Sequence, residues 1–114
     1  MPTQTKPVRH PSNPTRRNTE LARAKRILRA HLPTLRERYA VTSLGIFGSY
    51  VRGEQKNKSD LDLLVEFERA PSLFKYVELE DHLSELVGIK VDLVMKKTLK
   101  PHIGRHILAE VVPL

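Results

Sequence analysis

Residues 48–62 carry a Gly48-Ser49 pair, ten further residues, and then Asp60-Leu61-Asp62. This spacing restricts the folds open to the chain more than any other feature. Residues 41–47 are rich in β-branched and apolar side chains and predict a strand that ends at Gly48-Ser49. Leu61 to Phe67 predicts a second strand. Side chains alternate between the faces of a strand, so Leu61, Leu63, Val65 and Phe67 share one face. Asp60, Asp62, Leu64 and Glu66 share the other. A short helical turn is expected over Tyr50–Gly53 and a polar loop over Glu54–Ser59. Two such strands set a small-residue turn beside a pair of carboxylates.

The flanking segments complete a layered pattern. Asn18 or Thr19 is expected to cap a helix beginning near Glu20, with Leu21, Ala24, Ile27 and Leu28 on one stripe. Pro33 is expected to break or restart that helix, which Thr34 to Tyr39 then continue. Pro71-Ser72 opens another helix, with Leu73, Tyr76, Val77, Leu79, Leu83 and Leu86 as its apolar positions and Gly88 as its end. Phe47, Phe67, Phe74 and Tyr76 read as core or flank. Ile89 to Met95 predicts a third strand, and a last short helix is expected from about Lys100 to Ala109. The order α, β, turn, β, α, β, α implies an α/β (α+β) domain: a small mixed sheet of three or more strands flanked by helices.

The 114 residues predict one domain, and the formal charge of +7 is unevenly placed. Residues 1–30 hold eight Lys and Arg against Glu20 alone, whereas residues 31–114 balance twelve basic against twelve acidic side chains. Residues 1–18, with Pro2, Pro7, Pro11 and Pro14 among basic and polar neighbours, are read as a disordered basic tail, and residues 19–114 as the folded domain. Such an arm suits a solvated tail, or a weak contact with nucleic acid or an acidic partner. The chain has no cysteine, which excludes disulfides and thiolate metal sites. No segment is apolar over the roughly 18 residues that a membrane span requires, and no apolar leader opens the chain. A cytoplasmic location without membrane contact is expected.

The third strand adds Asp92. An acid inside an apolar strand is costly unless it is paired or binds a cation. If the second and third strands are neighbours, Asp92 approaches Asp60 and Asp62. Three carboxylates suit one or two Mg²⁺ ions, which favour carboxylates, water and substrate phosphates. On this reading Gly48 and Ser49 hold a triphosphate, and Asp60 and Asp62 bind metal. Asp92 serves as metal ligand and general base. Arg52 has two open readings, a phosphate contact or a structural ion pair. Lys56 and Lys58 read as a solvated loop, with help in phosphate binding as the lesser reading, and Tyr50 as a base-stacking, surface or half-buried aromatic. His102 and His106 stand one helical turn apart, and with no third ligand nearby they read as surface residues.

Gly48-Ser49, ten residues, Asp60-Leu61-Asp62, the Arg52-Gly53 between them and the Lys90–Val94 strand together resemble the minimal nucleotidyltransferase (MNT) family of the polymerase-β-like superfamily. The resemblance spans about residues 20–114. One departure is Val51, where the family more often has Ala. The resemblance implies the polymerase-β-like fold, ATP as substrate, Mg²⁺ as cofactor and transfer of a nucleoside monophosphate. It also implies an antitoxin that adenylylates a tyrosine hydroxyl of a partner HEPN-domain ribonuclease toxin and forms a hetero-oligomer with it. The alternative is an antitoxin of the same fold that neutralises its toxin by binding alone.

Overall fold

The structure, a computed structural model, describes residues 14–114, with side chains from Thr19 onward. The expected disordered tail therefore falls mostly outside the described residues. Helix α1 spans Pro14–Tyr39. It starts upstream of the expected Asn18 or Thr19 cap. Proline has a preset φ and no N–H to satisfy, so the first helical position suits it.

Pro33 does not end α1, contrary to the sequence expectation. The reason is packing on both sides of it. Ala24 and Leu28 before Pro33, and Leu35 and Tyr39 after it, are buried in one core. That shared burial outweighs the roughly 3 kcal/mol that an interior proline costs a helix. Pro33 itself is exposed, which keeps its ring out of the core. Pro33→Ala is expected to stabilise the fold by about 1–2 kcal/mol. A higher denaturant midpoint at unchanged slope would show this; a lower midpoint would contradict it.

Strand β1 (Val41–Phe47), the short helix α2 (Ser49–Arg52) and strand β2 (Leu61–Phe67) follow as expected. Helix α3 (Leu73–Val87) and strand β3 (Val91–Met95) come next. A 3₁₀ turn over Lys96–Thr98 leads to helix α4 (Pro101–Glu110) and a two-residue strand β4 (Val112–Pro113), which the sequence reading did not foresee. The sheet order is β3-β2-β1-β4. β2 pairs parallel with β3 and β1 pairs antiparallel with β2 and β4, giving the mixed sheet expected from the sequence.

Helices α1 and α3 cover one sheet face, burying Leu44, Ile46, Leu61, Leu63, Val65, Val91 and Leu93. A bulge in β1 between Val41 and Ser43 keeps Val41 inward despite its odd separation from Leu44. Arg23 closes α3 by donating to the Val87 carbonyl at 2.9 and 2.6 Å, a cation at a helix C-terminus.

Part of the expected α3 stripe faces solvent. Leu79, Leu83 and Val87 are buried, and Tyr76 and Leu86 pack partly against the core. Leu73, Phe74 and Val77 are exposed, Leu73 and Phe74 at 79 %. The apolar positions of this helix cover more of its circumference than one sheet can bury.

Candidate active site

The Gly48 turn sits where β1 meets α2. Its φ of 84° lies in the region that disfavours side chains. A Cβ on Gly48 would overlap Oδ2 of Asp62 and stand 3.0 Å from its Cγ. Bare glycine is therefore what lets the Asp62 carboxylate lie against the turn. The Gly48 carbonyl accepts from Val51 N at 3.0 Å and Arg52 N at 3.2 Å, and Ser49 O accepts from Glu54 N at 2.9 Å. These bonds close the turn. Tyr50, read from sequence as a base-stacking, surface or half-buried aromatic, is instead buried in the core, 4 % exposed. Its hydroxyl points at the Ser59 carbonyl at 3.5 Å, tying α2 to the residue before Asp60.

The sheet register brings the acids together. Asp62 stands opposite Phe47 on β1 and directly beside Asp92 on β3. Parallel neighbours in register point to the same face. Burial first, then the charges of Asp92 and Asp60, push the Asp62 carboxyl up to about 6, against a smaller pull from Arg52. Asp60 is half-buried at the head of β2 and Asp92 is exposed.

Strand β3 is the sheet edge, and α3 fixes it. The Val91 N–H donates to Ser84 Oγ at 2.9 Å and the Leu93 N–H to Glu80 at 2.8 Å. The Tyr76 hydroxyl donates to the Leu93 carbonyl. The residues on both sides of Asp92 are thus held by side chains of α3, which also block the edge from further pairing. Ser84, Glu80 and Tyr76 were absent from the sequence-based site, because an edge-strand N–H leaves no local signal.

Helix α4 stands over the opposite sheet face. A cleft of about 600 Å³ lies between them, lined by Phe47, Gly48, Arg52 and Asp62 on one side and His102, Ile103, His106, Ile107 and Glu110 on the other. Both readings of Arg52 bear on this cleft. It forms ion pairs with Glu54 at 2.9 Å and Glu110 at 2.8 Å, yet half its side chain stays accessible beside the turn. His102 and His106 meet edge to face at 5.2 Å on the rim. Lys56 and Lys58 are exposed in the loop, as expected.

Among the described residues, no three His, Asp or Glu side chains stand close enough to enclose an ion. The donor chemistry nevertheless fits Mg²⁺. The candidate ligands are hard carboxylate oxygens, and Asp62 is charged only at a cost from its burial and then from its acidic neighbours. Mg²⁺ is commonly held by one or two carboxylates, completed by waters and substrate phosphates rather than by a closed protein cage.

The profile of the nucleotidyltransferase domain family matches residues 28–113. The chain belongs to this family. Among relatives of known sequence, the protein adenylyltransferase MntA of Thermococcus cleftensis is 57% identical over 86 residues, 75% of this chain and 87% of that protein. A solved structure of a candidate minimal nucleotidyltransferase superposes with a TM-score of 0.67 at 36% identity, covering 86% of this chain and 95% of that one. A chain of the Shewanella oneidensis complex between a tri-AMPylated HEPN toxin and its MNT antitoxin superposes at 0.54 with 18% identity, covering 85% and 70%, a likeness of fold. The expected fold class and the expectation of a nucleotidyltransferase enzyme both stand with this membership. Among the described residues, no helix of this family member is long and apolar enough to cross a membrane.

Proposed function

We propose that this protein transfers AMP from ATP to a tyrosine hydroxyl of a HEPN-domain toxin in the cytoplasm, and so acts as its antitoxin. The observation that carries the reading is Asp62, set beside Asp92 by the sheet register and packed against the bare Cα of Gly48. Identity to a protein adenylyltransferase supports a protein acceptor.

The proposed roles rest on the chemistry of each residue and its place around the Gly48 turn. Backbone and hydroxyl groups of Gly48 and Ser49, with the Arg52 fork, hold the triphosphate. Asp60, Asp62 and Asp92 would hold Mg²⁺, which when bound neutralises phosphate charge and polarises the reacting oxygens. Asp92 is the most exposed of the three acids, which supports its reading as the base that takes the proton of an incoming hydroxyl. The acceptor oxygen forms a bond to the α-phosphorus. The bond from that phosphorus to its bridging oxygen breaks, and pyrophosphate leaves. The exposed Leu73, Phe74 and Val77 fit a face covered by a partner in a hetero-oligomer. We also propose that residues 1–18 form a basic arm, its last residues continuous with α1, ahead of the catalytic domain, with any nucleic-acid contact confined to the arm.

Intact-mass spectrometry of the cognate HEPN protein, incubated with this protein, ATP and Mg²⁺, tests the reading. An increase of one or more adenylyl groups is expected, with none from an Asp60→Ala/Asp62→Ala variant. An unchanged mass with stable co-elution of the two proteins would instead establish an antitoxin that works by binding alone.

A further inference from the structure

Glu110 was not among the residues singled out from sequence, yet its carboxylate occupies the centre of the phosphate-holding groups. Its Oε2 accepts from the Gly48 N–H at 2.7 Å, and its Oε1 accepts from the Arg52 guanidinium at 2.8 Å. One anion thus bridges a backbone donor of the turn and the nearby guanidinium, as a phosphate would. Helix stability does not explain this placement. Glu110 is the last residue of α4, where a negative charge opposes the helix dipole. The segment behind it is firmly seated: Val112 and Pro113 pair with Ile46 and Gly45, and the Leu114 N–H donates to Leu44 O at 2.9 Å. A Cβ on Gly45 would stand 2.6 Å from Val111 Cγ2, so the chain after α4 lies directly on β1. The tether holds the backbone at Glu110 while its side chain faces the cleft, 25 % exposed. Burial raises the carboxyl's pKa, but the bonds from Arg52 and Gly48 outweigh this and hold it below the ordinary value.

We infer that Glu110 is a built-in competitor for the nucleotide's phosphates, which must swing off Gly48 and Arg52 before the triphosphate of ATP can take the same donors. The inference rests on the nucleotidyltransferase reading and adds a control of nucleotide affinity to it. The cleft of about 600 Å³ that Glu110 lines gives the released side chain room to turn away. The carboxylate sets the affinity for ATP below what the turn alone would give, by the fraction of time it holds the donors.

The test is calorimetric binding of ATP with Mg²⁺, and of inorganic tripolyphosphate, to the wild-type chain, Glu110→Gln and Glu110→Ala, with a thermal melt of each. Glu110→Gln keeps the shape of the side chain and removes its charge, and should tighten both ligands roughly tenfold. Glu110→Ala should do the same, which guards against a Gln amide that still caps the turn. Unchanged or weaker binding by the folded variants would overturn the inference and make Glu110 a positioning residue for Arg52. A wild-type chain that binds no ATP would instead refute the nucleotidyltransferase reading, and this inference with it.

Discussion

Asp62→Asn is expected to lower nucleotidyl transfer by roughly 10³-fold while making the metal-free fold more stable. The loss of activity follows from deleting the charge at the centre of the acidic row, an interaction worth several kcal/mol in a metal-assisted transfer. The gain in stability follows from the same geometry. Asp62 is charged at neutral pH against burial, Asp92 and Asp60, which raise its carboxyl from an ordinary 3.8 to about 6. At 1.36 kcal/mol per pKa unit the upper bound is ~3 kcal/mol, and solvent screening at a part-exposed side chain reduces this to about 1 kcal/mol. The sign follows from proton binding. Between about pH 4 and 6 the folded chain binds a proton that the unfolded chain releases, so this group's contribution is present at low pH and lost as pH rises through 6. The advantage of the Asn variant should therefore be full at pH 7 and vanish near pH 4. Thermal melts in chelator across this range read it as a shift of about 5 °C at neutral pH. Added Mg²⁺ should raise the melting temperature of the wild type and leave the variant unmoved. A variant that is less stable at pH 7, or that retains transfer, would contradict the placement of Asp62.

The parts of this site legible in the sequence are those fixed by short-range spacing. Gly48-Ser49 and Asp60-Leu61-Asp62 each mark the end or head of a strand, and strand periodicity alone put Asp62 opposite the core-facing Leu61 and Leu63. Asp92 required one further assumption, that β2 and β3 are neighbours, which their pairing satisfies. What stayed hidden depends on distant contacts. Glu110 reaches the turn across 58 positions of sequence, and nothing in the run from Pro101 to Glu110 distinguishes it from an ordinary surface acid. Ser84 and Glu80 carry no signal of a role in the sequence, because their partners are the Val91 and Leu93 N–H groups of β3. Pro33 shows the converse error. A strong local rule predicted a break, and burial of Leu28 and Leu35 on one core overrode it. Leu73 and Val77 fitted a helical stripe, but periodicity cannot say where the sheet ends.

Gly48→Ala is expected to disable the site from its other side. Two costs combine there. A φ of 84° strains any residue with a side chain by about 1–2 kcal/mol. The new methyl would also overlap the Asp62 carboxylate, so either that carboxylate or the turn must move. Displacement by about 1 Å in a positioned constellation costs on the order of 10²-fold in rate. We expect a loss of transfer of at least this size, with a stability loss of about 2–3 kcal/mol. Gly53→Ala separates the two costs. Gly53 also has positive φ, at 71°, but a Cβ there meets nothing within 4 Å. It should lose about 1 kcal/mol of stability from backbone strain and keep its transfer rate. Equal losses of activity in the two variants would mean that strain in the α2 turn, rather than the fit of Asp62 against Gly48, limits the reaction. A large loss confined to Gly48→Ala would mean that the close approach of carboxylate and glycine is what the turn is built to permit.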